Sequence, residues 1–365
     1  MVSDIDIERD GQEILDVCSY HRTDFDICLV RTRPHKLQEI APSLQTCFDT
    51  EPSSELGFLD RFTPEILIEI LLQMDIESFL RFRQVNRRAR AVTTGLREYK
   101  LVSTHGIEGL TAMMRTRMTA NFTIPDLYEA LVTFRCKLCS RFGGFLHLFD
   151  CGRYCFDCIN YAPELDVTSH ALTDDICQIL DISKLEPGMD LGPVLHTVYG
   201  IYALQSPQSS SARHYLPREI LSLSQIVSSI ASLGVPREAI DLAVKEDMRG
   251  GWSWRFAAAT AYPWYDVVKG EADRGVNCKA VHLHLEKNSW YGSRLAGGRN
   301  LAHINTPEFQ HRRLIFSKAE FLEHFKTCSF AQKLWRGENG QFPETESKFM
   351  RWRGNLNPED EDGPW

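Results

Sequence analysis

The sequence predicts a mainly helical protein that carries a small metal-stabilised module near its middle. Apolar residues recur at helical spacing over much of the chain, and several segments begin with helix-capping residues. Five of the eleven cysteines fall between Cys136 and Cys158. The 365 residues are enough for two or three domains, and the apolar fraction of 43% and charged fraction of 25% are ordinary for a globular protein.

Composition and charge argue against several functional classes. The formal net charge of −8 and the sequence pI of about 5.9 give no general attraction to nucleic acid or to an anionic membrane. The sequence starts without a signal-peptide core and contains no apolar run long enough to span a membrane. Clustered cysteines in such a chain favour metal binding over disulfides, so we expect a reducing compartment, the cytoplasm or the nucleus.

The chain begins with an arm, residues 1–54, in which no firm pattern is visible. The segment near Asp24 fits either a strand or part of a helix, and the segments RTRPHK and CFDTEPSSE have the composition of loops. We therefore expect this arm to be mobile and to carry no functional site.

Residues 55–100 predict three short helices. Thr63 is a candidate N-cap with Pro64 at the first helical position, and Asp75 and Asn86 are candidate caps of the next two helices. The first helix is apolar on nearly every side, and three short helices form a core too small to bury that surface. Part of it must therefore meet another segment of the chain or another protein.

This stretch resembles an F-box, the helical module that docks on the Skp-type adaptor of Skp/cullin/F-box ubiquitin ligases. The usual Leu-Pro at its start is Phe62-Thr63 here, with the proline one place later. The resemblance implies a non-catalytic subunit that binds the adaptor, and through it a cullin, and presents a client protein. The matching residues are Phe62, Pro64, Glu65, Ile66, Ile70, Leu71, Phe79, Leu80, Val85 and Arg90, and all except Arg90 are our candidate adaptor-binding residues.

The next segment, residues 101–165, begins with two further predicted helices and ends with a cysteine-rich module. Cys136 and Cys139 form one CxxC pair, Cys155 and Cys158 form another, and fifteen residues separate the pairs. This spacing is typical of a four-thiolate zinc site, because each CxxC turn directs two sulfurs at one point of a tetrahedron. The residues between the pairs predict a short hairpin over the metal.

Two alternatives stay open inside this module. Cys151 can replace Cys155 as a ligand, whereas His147 is interpreted as a surface or core histidine. A RING arrangement needs eight ligands, and the sequence lacks a histidine at RING spacing after Cys151 and a further CxxC after Cys158. The block also resembles a cysteine knuckle that follows the F-box in filamentous-fungal F-box proteins, in a match that includes Arg141, Phe142, Gly143, Phe145, Arg153 and Phe156.

Residues 166–335 predict a helical C-terminal domain, which we expect to bind the client. A polar loop interrupts it at residues 205–213, and a polar, acidic tail follows at residues 336–365. Residues 248–265 are rich in tryptophan and alanine and predict a buried helix.

The last helix of this domain contributes to a tentative second zinc site. A capping box of Ser317 and Glu320 starts a helix that is predicted to continue to Trp335. The fungal family shows a histidine and a cysteine at this point, and residues four apart share one face of a helix. The candidate ligands are Cys278, His282, His324 and Cys328, with His284 as a competitor of His282.

The sequence is compatible with three functions. The first is a substrate receptor of a cullin-type ubiquitin ligase. The second is a zinc-dependent nucleic-acid-binding regulator, because the predicted F-box carries a basic run of Arg81, Arg83, Arg87, Arg88 and Arg90. The third is an F-box scaffold that acts outside the ligase. The sequence contains no GxSxG, phosphate-binding loop or HExxH motif, so we do not expect an enzyme.

Overall fold

A computed structural model describes residues 6–50, 52, 54–180, 182, 191–200, 202, 218–247, 251–287, 311 and 313–338. The prediction of a mainly helical fold is confirmed, because sixteen α-helices and ten short strands are described in these ranges. None of these helices has both the length and the apolar character needed to cross a membrane. The predicted loop at 205–213 and the tail beyond residue 338 lie outside the described residues.

The helices in chain order are α1 (Ile7–Cys18), α2 (Thr23–Ile27), α3 (Pro34–Gln45), α4 (Pro64–Gln73), α5 (Ile76–Arg83), α6 (Arg87–Gly95), α7 (Arg97–His105), α8 (Ile107–Thr116), α9 (Ile124–Val132), α10 (Phe156–Tyr161), α11 (His170–Ile179), α12 (Leu223–Ser232), α13 (Arg237–Asp247), α14 (Lys279–Lys287), α15 (Lys318–Thr327) and α16 (Ser329–Trp335). The strands are β1 (Ser19–Tyr20), β2 (Phe145–His147), β3 (Gly152–Tyr154), β4 (Val167–Thr168), β5 (Leu195–His196), β6 (Glu219–Ser222), β7 (Ala259–Ala261), β8 (Trp264–Asp266), β9 (Glu271–Asp273) and β10 (Asn277–Cys278).

The N-terminal arm is folded, contrary to the expectation of a mobile segment. The carboxylate of Asp6 caps α1 by accepting hydrogen bonds from two backbone N–H groups, and Ile14 and Cys18 of this helix are fully buried. Helix α3 packs against α7, where the Tyr99 hydroxyl donates to the Leu44 carbonyl oxygen at 2.7 Å. Few apolar residues on these helices are buried, and tertiary contacts rather than a strong amphipathic pattern fix them.

Helices α4, α5 and α6 form the three-helix module expected for residues 55–100. The side chains of Asp75 and Asn86 accept hydrogen bonds from backbone N–H groups at 2.8 Å, which confirms both predicted caps. The predicted Thr63 cap is wrong, because its side chain makes no capping hydrogen bond and instead bonds to the exposed Glu65 carboxylate. The apolar core of this module continues into α7, α8 and α9.

A three-stranded antiparallel sheet in the order β3-β2-β7 follows these helices. The hairpin predicted between the cysteine pairs is β2 and β3, which pair Leu146 with Arg153. The buried helix predicted for residues 248–265 is wrong: the segment forms a 3₁₀ helix at Gly251–Ala258 and then enters the sheet as β7. Pairing with β2 satisfies its backbone, so tertiary context overrides the helical preference of its alanines.

Two further packing units complete the described chain. A second sheet, ordered β4-β6-β5, contributes Val167, Leu195 and Ile220 to the main core. Leu221 of β6 packs instead with α11, α12 and α13 in a separate apolar cluster. The other unit, here called the distal unit, consists of α1, β1, β10, α14, α15 and α16. It joins the first described helix of the chain to the last described one.

The long helix predicted up to Trp335 is divided in the distal unit. Ser317 and Glu320 form the predicted capping box of α15, so that start is confirmed. The helix ends at Thr327, and Cys328 has φ −85° and ψ 98°, which is not helical. Cys328 instead precedes α16 as its N-cap residue. The N–H group of Cys328 still bonds to the His324 carbonyl oxygen at 2.9 Å, so the two side chains stay on one side of the last turn of α15, as the sequence predicts.

Candidate docking face and metal centres

The first helix of the three-helix module presents an apolar face to solvent. Leu67 and Leu71 point into the core, with 8% and 1% of their surface exposed. Ile66, Ile68 and Ile70 are 49%, 38% and 38% exposed. Ile66 and Ile70 are one helical turn apart and share one side of the helix, whereas Ile68 lies about 200° around the helix from Ile66. We call Ile66 and Ile70 the docking face, because exposed apolar side chains that adjoin one another are typical of a protein-binding site.

The candidate adaptor-binding residues divide into two groups. Pro64, Glu65, Ile66, Ile70 and Val85 are exposed, and Phe62 is half-buried. Leu71, Phe79 and Leu80 are buried inside the chain, so in this conformation they support the docking face and do not contact a partner. The sequence motif contains both groups because a short helix packs one side into the core and can present its other side to a partner.

The basic run of this module is occupied by contacts within the chain. Arg83 is buried and donates to the carbonyl oxygens of Leu44 and Thr46 at 2.8 and 3.0 Å. Arg90 donates to the Thr46 carbonyl oxygen at 2.9 Å, and Arg81 forms an ion pair with Glu77. The Arg83 and Arg90 contacts fasten α5 and α6 to the C-terminal end of α3, whereas the Arg81 pair lies within α5. Three of the five arginines therefore have a structural explanation that does not involve nucleic acid.

The structure brings together the four cysteines of the two CxxC pairs. The sulfurs of Cys136, Cys139, Cys155 and Cys158 all lie within 4.8 Å of one another, and those of Cys139 and Cys155 are 3.5 Å apart. A tetrahedral zinc with bonds of about 2.3 Å holds its sulfurs about 3.8 Å apart. Both the number and the chemistry of the donors therefore fit zinc. We call this group the knuckle cluster.

The backbone around the knuckle cluster turns sharply at both pairs. After Cys136 the chain makes a tight turn, closed by Ser140 N–H bonding to the Cys136 carbonyl oxygen at 3.0 Å. Ser140 adopts the left-handed conformation at φ 60°. Cys155 is the N-cap of α10 and its sulfur accepts from Cys158 N–H at 3.5 Å. Such N–H groups stabilise a thiolate, the form that binds a metal.

A positive charge lies beside the knuckle cluster. The guanidinium of Arg141 donates to the Cys139 sulfur at 3.4 Å and to Asp157 at 3.1 Å. Within the cluster, the hydrogen bond from Cys155 lowers the pKa of Cys136 to about 4. The same interaction raises the pKa of Cys155.

Cys151 and His147 lie outside the knuckle cluster. Cys151 has φ 48° in the turn between β2 and β3, and burial raises the pKa of its thiol. The structure therefore places Cys155, not Cys151, with the other three sulfurs. His147 is 4% exposed, and its Nδ1 lies 2.9 Å from a carboxylate oxygen of Asp150. This is the core histidine that the sequence predicts.

Arg153 attaches the hairpin to the rest of the core, a role that the sequence did not reveal. Its side chain is 2% exposed and donates to Ala130 O at 2.8 Å, Tyr262 O at 3.0 Å and Pro263 O at 2.5 Å. A further hydrogen bond runs to the Gly143 carbonyl oxygen. Four carbonyl groups from three separate segments therefore converge on one guanidinium. Burial lowers its pKa to about 10.

A second group of metal-type donors lies in the distal unit. One donor atom from each of Cys278, His324 and Cys328 lies within 4.8 Å of the others. The backbone N–H groups of Val281 and Ala331 bond to the sulfurs of Cys278 and Cys328. Each cysteine immediately precedes a helix, as Cys155 does in the knuckle cluster. We call these three residues the distal cluster.

His282, the fourth predicted ligand, is placed elsewhere. Its side chain is fully buried, and its Nδ1 hydrogen-bonds to the Tyr20 hydroxyl. The ring meets Tyr20 edge-on, with centroids 5.4 Å apart. The competitor His284 stacks on Phe330 at 4.0 Å. The i,i+4 argument failed because Cys278 lies before α14, so it does not share a helical face with His282.

Comparison with known proteins identifies the module that bears the docking face. The model of the F-box domain family matches residues 59–101, so the chain contains an F-box domain. The matched span runs from the 3₁₀ helix at Gly57–Arg61 into α7 and includes all of α4, α5 and α6. No curated protein and no solved structure matches the chain.

Proposed function

We propose that this protein is the substrate receptor of a Skp/cullin/F-box ubiquitin ligase and docks on a Skp-type adaptor through the docking face. The observation that carries the proposal is an F-box domain whose first helix exposes Ile66 and Ile70 on one side. Burial of these two side chains in an interface removes apolar surface from water. Hot-spot side chains of this kind contribute about 2 kcal/mol or more each when truncated.

The receptor itself performs no bond chemistry in this proposal. The adaptor links it to a cullin, and the complex holds a lysine of the client near a ubiquitin-loaded enzyme. Rate enhancement then comes from proximity. The zinc-containing part that follows the F-box, including the described segments of residues 166–335, is the proposed client-binding region. We also propose that the chain is of the fungal type with a zinc knuckle and works in the cytoplasm or nucleus.

A docking experiment with a matched control tests this proposal. Ile66→Asp with Ile70→Asp places two charges on the docking face without touching the core. Ile179→Asp is the control, because Ile179 on α11 is 48% exposed, as Ile66 is at 49%. We expect the double variant to lose the adaptor in pull-down at least 100-fold, with the control unaffected. Normal adaptor binding by a folded double variant would refute docking through this face.

The same pull-down separates a ligase receptor from a scaffold. A receptor brings down the adaptor together with the cullin, and client ubiquitination in a reconstituted ligase depends on the docking face. A scaffold that acts outside the ligase brings down the adaptor without the cullin. The exposed isoleucines support adaptor binding in both cases, and we propose the receptor because the F-box domain is a module of such ligases.

We further propose that the knuckle cluster binds one zinc ion and that the distal cluster binds a second. Cys136, Cys139, Cys155 and Cys158 form a complete thiolate shell for the first ion. When bound, the metal supplies structural cross-links, and the four side chains hold it as thiolates. Cys278, His324 and Cys328 provide three donors for the second ion. Metal analysis of the purified chain tests both proposals, with an expected content of about two zinc ions.

A further inference from the structure

The distal cluster provides one donor fewer than a structural zinc site requires. Structural zinc is bound by four protein ligands, and the cluster offers Cys278, His324 and Cys328. The Nε2 atom of His324 is buried and has no hydrogen-bond partner among the described residues. The converging donor atoms do not include one from His282, the ligand predicted from the sequence, whose Nδ1 hydrogen-bonds to Tyr20.

Cys18 lies next to this incomplete shell. It is the last residue of α1, its side chain is fully buried, and it belongs to the same apolar cluster as Cys278 and Cys328. The residue that follows it, Ser19, pairs with Cys278 across the β1–β10 ladder. Paired residues in an antiparallel ladder have Cα atoms about 5 Å apart. The ladder therefore fixes the end of α1 beside Cys278.

Ala331 connects Cys18 to the other sulfur of the distal cluster. Its carbonyl oxygen accepts a hydrogen bond from the Cys18 thiol at 3.3 Å, and its N–H group bonds to the Cys328 sulfur. One residue thus contacts both sulfurs. The Cys18 thiol is a weak donor, so little is lost when this hydrogen bond is exchanged for a metal bond. Rotation to another staggered rotamer moves the sulfur by about 3 Å with no change in the backbone.

We propose that Cys18 is the fourth ligand of the distal zinc site, which is then built from three cysteines and one histidine. This inference rests on the proposed second zinc ion and is independent of adaptor docking. On binding, Cys18 loses its thiol proton to the solvent as the zinc–sulfur bond forms. The ion then joins α1 to the segments that begin α14 and α16. The N-terminal helix becomes a cross-linked part of the distal unit.

Zinc content of full-length variants tests the assignment. The purified, zinc-loaded chain is dialysed against excess EDTA, and the retained zinc is measured by mass spectrometry. We expect about two ions in the wild type and about one in Cys18→Ser and in Cys328→Ser. Cys28→Ser is the matched control and should keep both, because Cys28 is also N-terminal and 1% exposed but lies in a different apolar cluster.

The remaining outcomes separate the alternatives. Retention of two ions by Cys18→Ser, with loss of one by His282→Gln, would overturn the proposal in favour of His282. A wild-type content of one ion would overturn both the second zinc and its fourth ligand. We expect each of these cysteine and histidine variants to bind the adaptor normally in pull-down, because the distal site and the docking face are separate. Failure of the zinc proposal can therefore be told from failure of the docking proposal.

A measurement on the wild type covers the case in which Cys18→Ser does not fold. X-ray absorption at the zinc edge reports the average ligand set of both ions. Cys18 as the fourth distal ligand gives about seven sulfurs to one nitrogen over the two ions, whereas His282 gives about six to two. A ratio of about six to two would overturn the assignment of Cys18.

Discussion

The knuckle cluster and the distal cluster use similar donors but are assembled in different ways. The knuckle cluster comes from one stretch, residues 136–158, that contains two three-residue strands and the start of a six-residue helix. The distal cluster joins residues near 278 to residues near 328, and the unit around it contains helices of up to twelve residues. The apolar residues of the first region belong to the main core of the chain, whereas the second region has helices and a separate apolar core. A metal in the first region would therefore hold two local turns, and a metal in the second would join distant segments.

Chelation is expected to show the largest difference between the two regions. Structural zinc in small modules contributes about 10–16 kcal/mol of apparent binding free energy at pH 7. Removal of zinc should therefore loosen the two CxxC turns, with hydrogen exchange rising most at residues 136–140 and 155–158, whereas β2 should stay protected by its pairing with β7. Helices α1, α14, α15 and α16 should keep much of their protection. Equal loss of protection in both regions would contradict the comparison.

Replacement of Arg153 tests whether the knuckle region depends on its metal alone. Arg153→Met leaves four carbonyl groups without their donor, and we expect the free energy of unfolding to fall by about 3–5 kcal/mol. Chemical denaturation measures the change, and Arg97→Met, an exposed position on α7, should change it by less than about 0.5 kcal/mol. A neutral Arg153→Met would show that the metal suffices to hold the hairpin.

Tyr20→Phe should have the smallest effect on stability of these changes. It alters the distal unit without replacing a proposed metal ligand. The variant removes the hydroxyl that bonds to Nδ1 of His282. We expect a loss of about 1 kcal/mol in the free energy of unfolding and an unchanged zinc content. Loss of one zinc ion in this variant would instead mean that Tyr20 orients His282 as a metal ligand.

Features formed by residues close together in the sequence could be predicted, whereas contacts between distant segments could not. The knuckle ligands could be predicted because a CxxC pair brings its two sulfurs together within a few residues. The caps at Asp75, Asn86 and Ser317 could be predicted for the same reason. In contrast, the placement of β7 beside β2, and of Cys18 beside Cys278, depends on contacts between segments more than 100 residues apart.

Two predictions, for the helix through Cys328 and for the N-terminal arm, were wrong for this reason. The helix through Cys328 was predicted as continuous because its apolar spacing continues, yet the chain breaks at Cys328 and turns its sulfur towards Cys278. The N-terminal arm was interpreted as mobile because its sequence shows no firm helical or strand pattern. Its one useful signal was the helical spacing of Ile14 and Cys18, which are both fully buried.

Native mass spectrometry of the full-length chain, co-purified with a Skp-type adaptor, tests the central claim most directly. One spectrum reports both the adaptor stoichiometry and the number of bound metal ions. The account predicts a complex of one chain with one adaptor that carries two zinc ions, and it predicts that the complex disappears when Ile66 and Ile70 are replaced by Asp. A free chain without adaptor, or a complex that carries fewer than two zinc ions, would contradict it.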